Sequence, residues 1–196
     1  MTRPRNRANG TSFAGFTMVE LVVAVAVILI ISGVALPSFL RTYRTYQLND
    51  AASKAANLWK LTRFEAIRRN TPVSCQLRLA GTATDLWTDS NGNATMDARE
   101  TQVVFTGTVR PIAAGTAAGA GALAAAVGVP AVAFLSPTNA TVTFDQRGAV
   151  NPPAVSALFF GNNAVPDLGS QAVVLLPSGS VQVWSADAAG TWHLLN

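Results

Sequence analysis

Residues 15–40 read GFTMVELVVAVAVILIISGVALPSFL, and this stretch decides how the chain is organised. From Leu21 to Leu40 it contains 20 residues without a charge. A helix of that length rises about 1.5 Å per residue and spans roughly 30 Å, the thickness of the hydrocarbon core of a bilayer. Arg3, Arg5 and Arg7 precede it, and positively charged flanks stay on the cytoplasmic side. The sequence predicts a single-pass membrane segment with the bulk of the chain on the far side.

A cleaved secretory signal peptide is the alternative interpretation of this segment. Gly33-Val34-Ala35 is a poor small-residue cleavage site, and the uncharged block is longer than the usual apolar region of about 7–15 residues. Glu20 also lies at the cytoplasmic edge of the block, where a carboxylate is costly unless it has a partner. These features favour a retained anchor.

The residues around Glu20 carry a resemblance to a known family. The string Gly15-Phe16-Thr17-Met18-Val19-Glu20, followed by the apolar run and Pro37, closely resembles the type III signal of type IV pilins and type II secretion pseudopilins. The resemblance implies that a prepilin peptidase cuts after Gly15 and methylates the new terminal residue, Phe16. It also implies that Glu20 is the fifth residue of the mature chain.

A physical argument agrees with those implied roles. Cleavage after Gly15 creates a cationic amine on Phe16, and Glu20 is an anion one helical turn away. In an assembling filament, the Glu20 carboxylate of one subunit can neutralise the Phe16 amine of its neighbour where water screens weakly. Pro37 lies inside the same predicted helix and should kink it, because it has no N–H and crowds the preceding turn.

Beyond Leu40, helical spacing of apolar residues resumes, and it predicts one helix from about Phe16 to Arg69. Asn70 and Pro72 mark its end. The apolar stripe comprises Leu48, Ala51, Ala52, Ala55, Leu58, Trp59, Thr62, Ala66 and Ile67. The segment from Arg63 to Val73 resembles the helix end of the GspH/FimT group, which consists of H-type minor pseudopilins and FimT-like minor pilins.

After Pro72 the sequence has the pattern of β-strands, which together with the helix predicts an α+β class. The family resemblance implies a pilin-like fold with the helix packed on an antiparallel β-sheet or a two-sheet domain. Pro177-Ser178-Gly179-Ser180 predicts the turn of a hairpin between the last two expected strands, whereas Pro152-Pro153 and Gly161-Asn162-Asn163 indicate loops. The expected strands are Val73–Leu79, Asp85–Thr88, Gln102–Val109, Thr141–Phe144, Ala172–Leu176 and Val181–Trp184.

These elements give four predicted regions. Residues 1–15 form a cytoplasmic leader, 16–40 the transmembrane and filament-core helix, 41–70 its amphipathic continuation, and 71–196 a periplasmic β-rich domain. The last contains an Ala/Gly-rich insertion at about 113–133, whose glycines and small side chains predict a flexible or loosely ordered tract.

Charge and composition argue against two classes of function, nucleic-acid binding and catalysis. The chain has 196 residues and a net charge of +4, but residues 1–15 hold three arginines and no acid, which leaves 11 basic and 10 acidic residues. A domain this close to neutral gives little electrostatic reason to bind nucleic acid. The single Cys75 and single His193 leave little room for metal or triad chemistry, and no nucleophile motif or phosphate loop is present. We therefore do not expect an enzyme.

The best metal-like feature is the loop from Asp89 to Glu100. Oxygen-bearing side chains at Asp89, Asn91, Asn93, Asp97 and Glu100 match positions 1, 3, 5, 9 and 12 of an EF-hand calcium loop. Ala94 stands where that loop needs glycine for a sharp turn, and the flanks predict strands instead of helices. The alternative is an Asx-rich turn that joins two strands.

Nucleic-acid binding is a second possibility that the family resemblance raises. Some FimT-like minor pilins take up DNA through arginines in a C-terminal Gly-Arg-x-Arg loop. The corresponding turn here is Gly179-Ser180-Val181-Gln182, which has no arginine. Because phosphate contact depends on cations, the lack of arginine in this turn counts against DNA as its ligand.

The sequence interpretation is a minor pseudopilin of GspH/FimT type, in the inner membrane with its C-terminal domain in the periplasm. Its expected partners are other pseudopilins or pilins, the prepilin peptidase and an inner-membrane assembly platform. Two alternatives stay open: a FimT-like minor pilin in type IV pilus assembly or DNA uptake, and a membrane-anchored calcium-binding module.

Overall fold

The computed structural model describes residues 15–195 of the chain. The chain divides into two compact units, Met1–Leu40 and Arg41–Asn196, and each is described by itself. The leader arginines Arg3, Arg5 and Arg7 lie outside the described residues.

A single long helix, α1 (Met18–Arg69), supplies residues to both units and confirms the helix that the sequence predicts. It ends in a left-handed cap at Asn70, whose φ is 52°. Asn70 N–H donates to the Ile67 carbonyl at 3.2 Å and Thr71 N–H donates to the Ala66 carbonyl at 3.3 Å, which together form a Schellman motif. Pro72 then prevents the helix from continuing.

In the first unit, the side chains of α1 are exposed along its apolar length. Met18, Val34 and Ile30 expose 85%, 78% and 70% of their surface, far more than apolar residues expose in a packed core. Within residues 15–195, α1 is the one helix long and apolar enough to cross a membrane. It is therefore a candidate membrane anchor.

The second unit contains two β-sheets besides residues 41–69 of α1. The first sheet has the order β3-β2-β1-β6, and the second has the order β10-β9-β8-β7-β4, with the short β5 beside β7. All pairs are antiparallel except β5 with β7. The strands are β1 (Val73–Ala80), β2 (Ala83–Asp89), β3 (Gln102–Phe105), β4 (Val109–Ile112), β5 (Ala133–Phe134), β6 (Asn139–Phe144), β7 (Ser156–Asn162), β8 (Ser170–Leu175), β9 (Val181–Ala186) and β10 (Trp192–Leu194).

The helix packs on these antiparallel strands, so the predicted α+β class is confirmed. Leu48, Leu58 and Trp59 are almost completely buried, as the apolar stripe predicts. The same core contains Leu77 from the first sheet and Phe160 from the second. Ile67, expected in the stripe, is 43% exposed.

One predicted strand is wrong in extent. The sequence suggests a strand over Gln102–Val109, but the structure divides it into β3 in the first sheet and β4 in the second. Gly107 lies between them with a φ of 90°, a left-handed conformation that a strand cannot contain. The chain crosses from one sheet to the other at this glycine.

The loop expected at Gly161-Asn162-Asn163 is also wrong in part, because β7 extends through Asn162. Gly161 pairs with Arg110 and Asn162 with Val109 of β4. A Cβ on Gly161 would lie 2.6 Å from Ile112 Cδ1, so the glycine permits close packing within the sheet.

A second core lies on the other face of the second sheet. Along β7, Leu158 and Phe160 belong to the helix-side core, whereas Ala157 and Phe159 belong to this second core. Every residue of β7 and β8 is buried, so neither strand shows the alternation that marks a half-exposed strand. The sequence nevertheless predicts β8, at Ala172–Leu176, and does not reveal β7.

The Ala/Gly-rich tract covers that second face, which differs from the loosely ordered insertion expected. It forms two 3₁₀ turns and a short helix, α2 (Leu123–Val127). Leu123 is completely buried in the second core, and Trp192 Nε1–H donates to the Gly119 carbonyl at 2.7 Å. The small side chains allow this approach, because a Cβ on Gly119 would lie 2.1 Å from the Gly190 carbonyl oxygen.

Candidate functional site

The residues of the processing signal lie at the start of α1. Gly15, Phe16 and Thr17 precede the helix, which begins at Met18. Thr17 caps it: its Oγ1 accepts from Glu20 N–H at 3.2 Å, and its carbonyl accepts from Leu21 N–H at 3.1 Å. Thr17 and Glu20 have the spacing of a capping box. The bond between Gly15 and Phe16 is thus outside the hydrogen-bonded helix.

Both residues of the expected charge pair are on the surface of the first unit. Phe16 exposes 76% of its surface, and Glu20 lies exposed in the first helical turn. No ion pair to Glu20 forms within residues 15–195. A carboxylate at this position interacts favourably with the N-terminal end of the helix dipole.

Pro37 lies inside α1, as the sequence predicts. Its missing N–H leaves the Gly33 carbonyl without the usual donor four residues later. The described helix continues through this position to Arg69. The predicted kink stays a prediction.

Asp89 is the centre of the loop that resembles a calcium site. It is 3% exposed and lies at the end of β2. Its Oδ1 accepts from Gly92 N–H at 2.8 Å and Asn93 N–H at 3.2 Å, and its Oδ2 accepts from Ala94 N–H at 3.0 Å. Three backbone amides therefore occupy the carboxylate that would be the first ligand of a calcium ion.

The other oxygen-bearing residues of the loop are also paired with one another. Asn91 Nδ2 and Asn93 Nδ2 donate to Asp97 Oδ2 at 2.7 and 3.0 Å. Glu100 Oε1 accepts from Ser90 N–H at 2.8 Å, and Glu100 Oε2 accepts from Asp97 N–H at 3.2 Å. The geometry is that of an Asx-rich turn whose polar groups satisfy one another.

Ala94 occupies the position that is glycine in an EF-hand calcium loop, and its backbone has the left-handed conformation that glycine adopts readily. Ala94 has a φ of 56°, in the left-handed region that alanine enters at a cost of about 1–2 kcal/mol. Within the described part of the chain, no group of three or more His, Cys, Asp and Glu residues has an arrangement that could hold a metal ion. Calcium binding at Asp89, Asn91, Asn93, Asp97 and Glu100 stays a hypothesis.

The loop is tied to the end of α1 by a charged network. Arg68 donates to both oxygens of Glu65, at 2.9 Å from Nε and 2.7 Å from Nη2, and Arg69 Nε also donates to Glu65. Arg69 Nη1 donates to the Ser90 carbonyl at 2.9 Å. The hydrogen bonds from Arg68, with the single hydrogen bond from Arg69 and the positive charges of both, lower the pKa of Glu65 from 4.5 to about 2, although partial burial opposes the shift.

The turn compared with the DNA-uptake loop contains no arginine, but one lies beside it. Gly179 has a φ of 78°, and a Cβ there would lie 2.9 Å from Arg63 Nε and 1.9 Å from the Gly148 carbonyl oxygen. Arg63 Nε is buried without a hydrogen-bond partner. Sequence reasoning missed this proximity because Arg63 belongs to α1, more than 100 positions earlier in the chain.

Cys75 lies in the strand that the sequence predicts at Val73–Leu79, whereas none of the expected strands includes His193. Cys75 is buried in β1, and burial raises the pKa of its thiol to about 12, so the thiol is protonated and inert at neutral pH. His193 is exposed in β10, the short C-terminal strand.

Comparisons with known proteins give a limited result. Neither a protein-family model nor a curated protein matches the chain. Two solved structures are similar to it. Both are crystal structures of the type IV minor pilin FimU of Pseudomonas aeruginosa strain PAO1, in space groups P21 and P65.

The chain is 14% and 15% identical to these two structures, and the TM-score is 0.37 in each case. The matches cover 78% and 76% of this chain, and 91% and 93% of FimU. Likeness at this TM-score supports no functional conclusion, so function has to be inferred from the residues themselves.

Proposed function

We propose that the chain is a minor pseudopilin of GspH/FimT type, a structural subunit at or near the tip of the periplasmic filament of a type II secretion system. The observation that carries the proposal is the start of α1. A glycine–phenylalanine junction lies just before the helix, Glu20 lies in its first turn, and 20 uncharged residues follow.

Processing is the first step of the proposed mechanism. The bond between Gly15 and Phe16 precedes the first helical hydrogen bonds, so a prepilin peptidase can bind it in extended form. Cleavage removes the basic leader and exposes a cationic amine on Phe16, which the peptidase then methylates. Until assembly, residues 21–40 hold the subunit in the inner membrane with the C-terminal domain in the periplasm.

Assembly is the second step. An inner-membrane platform extracts the subunit, and the exposed apolar surface of α1 passes from lipid to contact with the helices of neighbouring subunits. The Glu20 carboxylate of one subunit then pairs with the Phe16 amine of another in a medium that screens charge weakly. The β-rich unit presents its loops to partner pseudopilins or to cargo.

A type IV pilus is the alternative machine for the same subunit, as a FimT-like minor pilin that primes assembly or takes up DNA. The lack of arginine at Gly179–Gln182 and the near-neutral charge outside the leader favour secretion over DNA uptake. Arg63 beside Gly179 is a single cation, and phosphate binding usually relies on several.

One gene deletion separates these assignments. Exoprotein secretion, twitching and DNA uptake are scored in the deletion strain and in the strain complemented with the wild-type gene. We expect loss of secretion with the other two activities retained. Loss of twitching or transformation with normal secretion would overturn the proposed machine in favour of a pilus.

Mass spectrometry of the purified subunit tests the processing step on its own. We expect a chain that starts at Phe16 and carries one added methyl group on its amine. A Gly15→Val variant should keep the leader, because a branched side chain does not fit where the peptidase requires glycine. A mature wild-type protein that still begins at Met1 would contradict the pilin-like assignment itself.

A further inference from the structure

The residues that directly follow the uncharged segment of α1 repeat one tripeptide. Residues 41–46 read Arg-Thr-Tyr-Arg-Thr-Tyr, and with Gln47 we call them the collar. Counted at about 1.5 Å per residue, Arg41 and Arg44 come about 1.5 and 6 Å after the hydrocarbon core that residues 21–40 would span, which is the depth of the lipid headgroups. Filament assembly through Phe16 and Glu20 makes no use of these side chains.

The collar is not covered by the β-strands of the second unit. Leu48, at 2% exposure, is the first residue of α1 that is buried. Before it, Tyr43 and Tyr46 expose 53% and 68% of their surface, Arg41 is exposed and Arg44 is half-buried. The side chains of the collar are therefore accessible to a ligand.

The two arginines of the collar have no counter-ion. No ion pair within residues 15–195 includes Arg41 or Arg44. The sequence has no acidic residue from Leu21 to Asn49, and Asp50, which comes next, pairs with Lys54 at 2.6 Å. Side chains three positions apart on a helix are neighbours, so the two guanidiniums repel each other and can bind one anion together.

The tyrosines of the collar lie on the other side of the helix. Successive residues of an α-helix are about 100° apart, so the Arg41–Arg44 pair and the Tyr43–Tyr46 pair point about 160° away from each other. A protein partner would contact one face of the helix, whereas a bilayer surrounds it. Tyrosine is enriched where a helix leaves the membrane, because its ring is apolar and its hydroxyl is polar. This arrangement favours lipid over protein as the ligand.

We infer that the collar binds an anionic phospholipid, with Arg41 and Arg44 holding the phosphate group of one headgroup. The Cα–Cβ bonds of a helix tilt toward its N-terminus, which directs both arginines back toward the membrane. A zwitterionic headgroup binds less well, because its own cation is repelled by the two guanidiniums. These contacts would hold the subunit in the membrane until it is extracted. The inference rests on the proposed anchoring of residues 21–40, and not on which filament the subunit serves.

Fluorescence quenching beside the arginines tests the site. Thr45→Cys in the full-length protein is labelled with a fluorophore; Cys75 stays unlabelled because it is buried and its thiol is protonated. The protein is reconstituted in phosphatidylcholine vesicles that contain increasing amounts of nitroxide-labelled phosphatidylglycerol or nitroxide-labelled phosphatidylcholine. The ratio of the two amounts that give half-maximal quenching is the lipid selectivity. Arg3, Arg5 and Arg7 are shared by all variants, so they do not affect comparisons between variants.

We expect phosphatidylglycerol to quench at an amount about fivefold lower or more, since each arginine at the membrane surface attracts anionic lipid. Replacing both arginines, in Arg41→Gln with Arg44→Gln, should bring the ratio close to one. The matched control is Arg78→Gln with Arg147→Gln, which removes the same charge from exposed positions among the strands and should leave the ratio unchanged. The selectivity of the wild-type collar should also fall as sodium chloride is raised, because salt screens the attraction.

Three results would overturn the lipid site while leaving the anchor intact. They are equal quenching by the two lipids before the arginines are changed, unchanged selectivity in Arg41→Gln with Arg44→Gln, and an equal loss in the control pair. If the glutamine variant does not reconstitute, the salt dependence decides, and selectivity that persists in high salt excludes the charged contact. Absence of quenching by both lipids would contradict the anchoring of residues 21–40 together with the site.

Discussion

Asp89 organises its loop through the three backbone amides that it binds. Replacing it with alanine would leave these donors without an acceptor in a site where the side chain is 3% exposed. We expect Asp89→Ala to lower the free energy of unfolding by about 2 kcal/mol. Urea unfolding followed by tryptophan fluorescence measures this, since all four tryptophans belong to the second unit.

Asp167→Ala is the matched control, because this aspartate is exposed at the surface of the same unit. It should change the free energy of unfolding by less than about 0.5 kcal/mol. Equal losses in the two variants would mean that the loop does not depend on the Asp89 carboxylate.

The same hydrogen bonds predict how the loop responds to calcium. Each proposed ligand side chain already makes a hydrogen bond within the loop, and binding the ion would require these bonds to break. We expect millimolar calcium to leave the Tm unchanged. A saturable rise in Tm with calcium but not with magnesium would instead establish the calcium-binding alternative.

The lowered pKa of Glu65 predicts that the free energy of unfolding depends on pH. Its pKa in the folded protein is about 2, below the ordinary value of 4.5, so its contribution is present above pH 4.5 and is lost as the pH falls through 4.5 toward 2. Since Arg68 is largely exposed, water screens the pair, and we expect about 1 kcal/mol at pH 7. Unfolding of wild type and Glu65→Gln, compared at pH 7 and near pH 3, should show a difference that shrinks at low pH. A constant difference would contradict this role.

At the scale of elements, the Ala/Gly-rich tract packs closely against the chain at one point, where Gly119 contacts Gly190. Gly119 has a φ of 65°, and a Cβ there would lie 2.1 Å from the Gly190 carbonyl oxygen. Gly119→Ala should therefore lower the free energy of unfolding by about 2 kcal/mol or more, through backbone strain and displacement of the tract. The measurement is again urea unfolding.

Gly121→Ala provides the control within the same tract. A Cβ at Gly121 meets nothing within 4 Å and its φ is not in the left-handed region, so this change should be neutral or slightly stabilising. If both variants unfold at the same urea concentration, the tract does not cover the sheet as tightly as the structure indicates.

At the scale of the whole molecule, a substitution at Glu20 tests filament assembly independently of membrane insertion. Glu20→Ala should leave insertion intact, because removing a charge makes the segment more apolar. Incorporation into filaments should fall by about tenfold or more, because the Phe16 amine of a neighbour loses its counter-ion; tenfold corresponds to about 1.4 kcal/mol. Immunoblots of membrane and sheared-filament fractions measure both quantities.

Ser32→Ala changes an uncharged residue of the same segment and should affect neither fraction. Normal incorporation of Glu20→Ala would exclude the proposed charge pair while leaving the anchor role untouched. Loss of the variant from the membrane fraction would contradict the expectation that Glu20 is not needed for insertion.

The elements that sequence patterns predicted well are those with local signals. Apolar spacing from Leu48 to Ala66 gave the buried face of α1, and Asn70 with Pro72 gave its end. Pro177–Ser180 predicted the turn between β8 and β9, which the hydrogen bond from Gly179 N–H to the Leu176 carbonyl closes at 2.8 Å. Each of these signals lies within a few residues of the feature that it specifies.

The elements that sequence patterns did not predict depend on partners far away in the chain. β7 is buried on both faces, so it has no alternation, and its pairing with β4 decides that Gly161 and Asn162 belong to a strand. Arg110 and Asn163 lie 53 positions apart in the sequence, and only that same pairing brings them to one cavity.

The sequence alone determined the long helix, its uncharged segment and the order of signals at its start, because hydropathy and capping act over neighbouring residues. The tertiary structure decided the crossing between sheets at Gly107, the cover that the Ala/Gly-rich tract places on β7 and β8, and the cavity beside β4. These features arise from contacts between residues far apart in the chain, whose free energy depends on how the sheets pack and not on any local pattern.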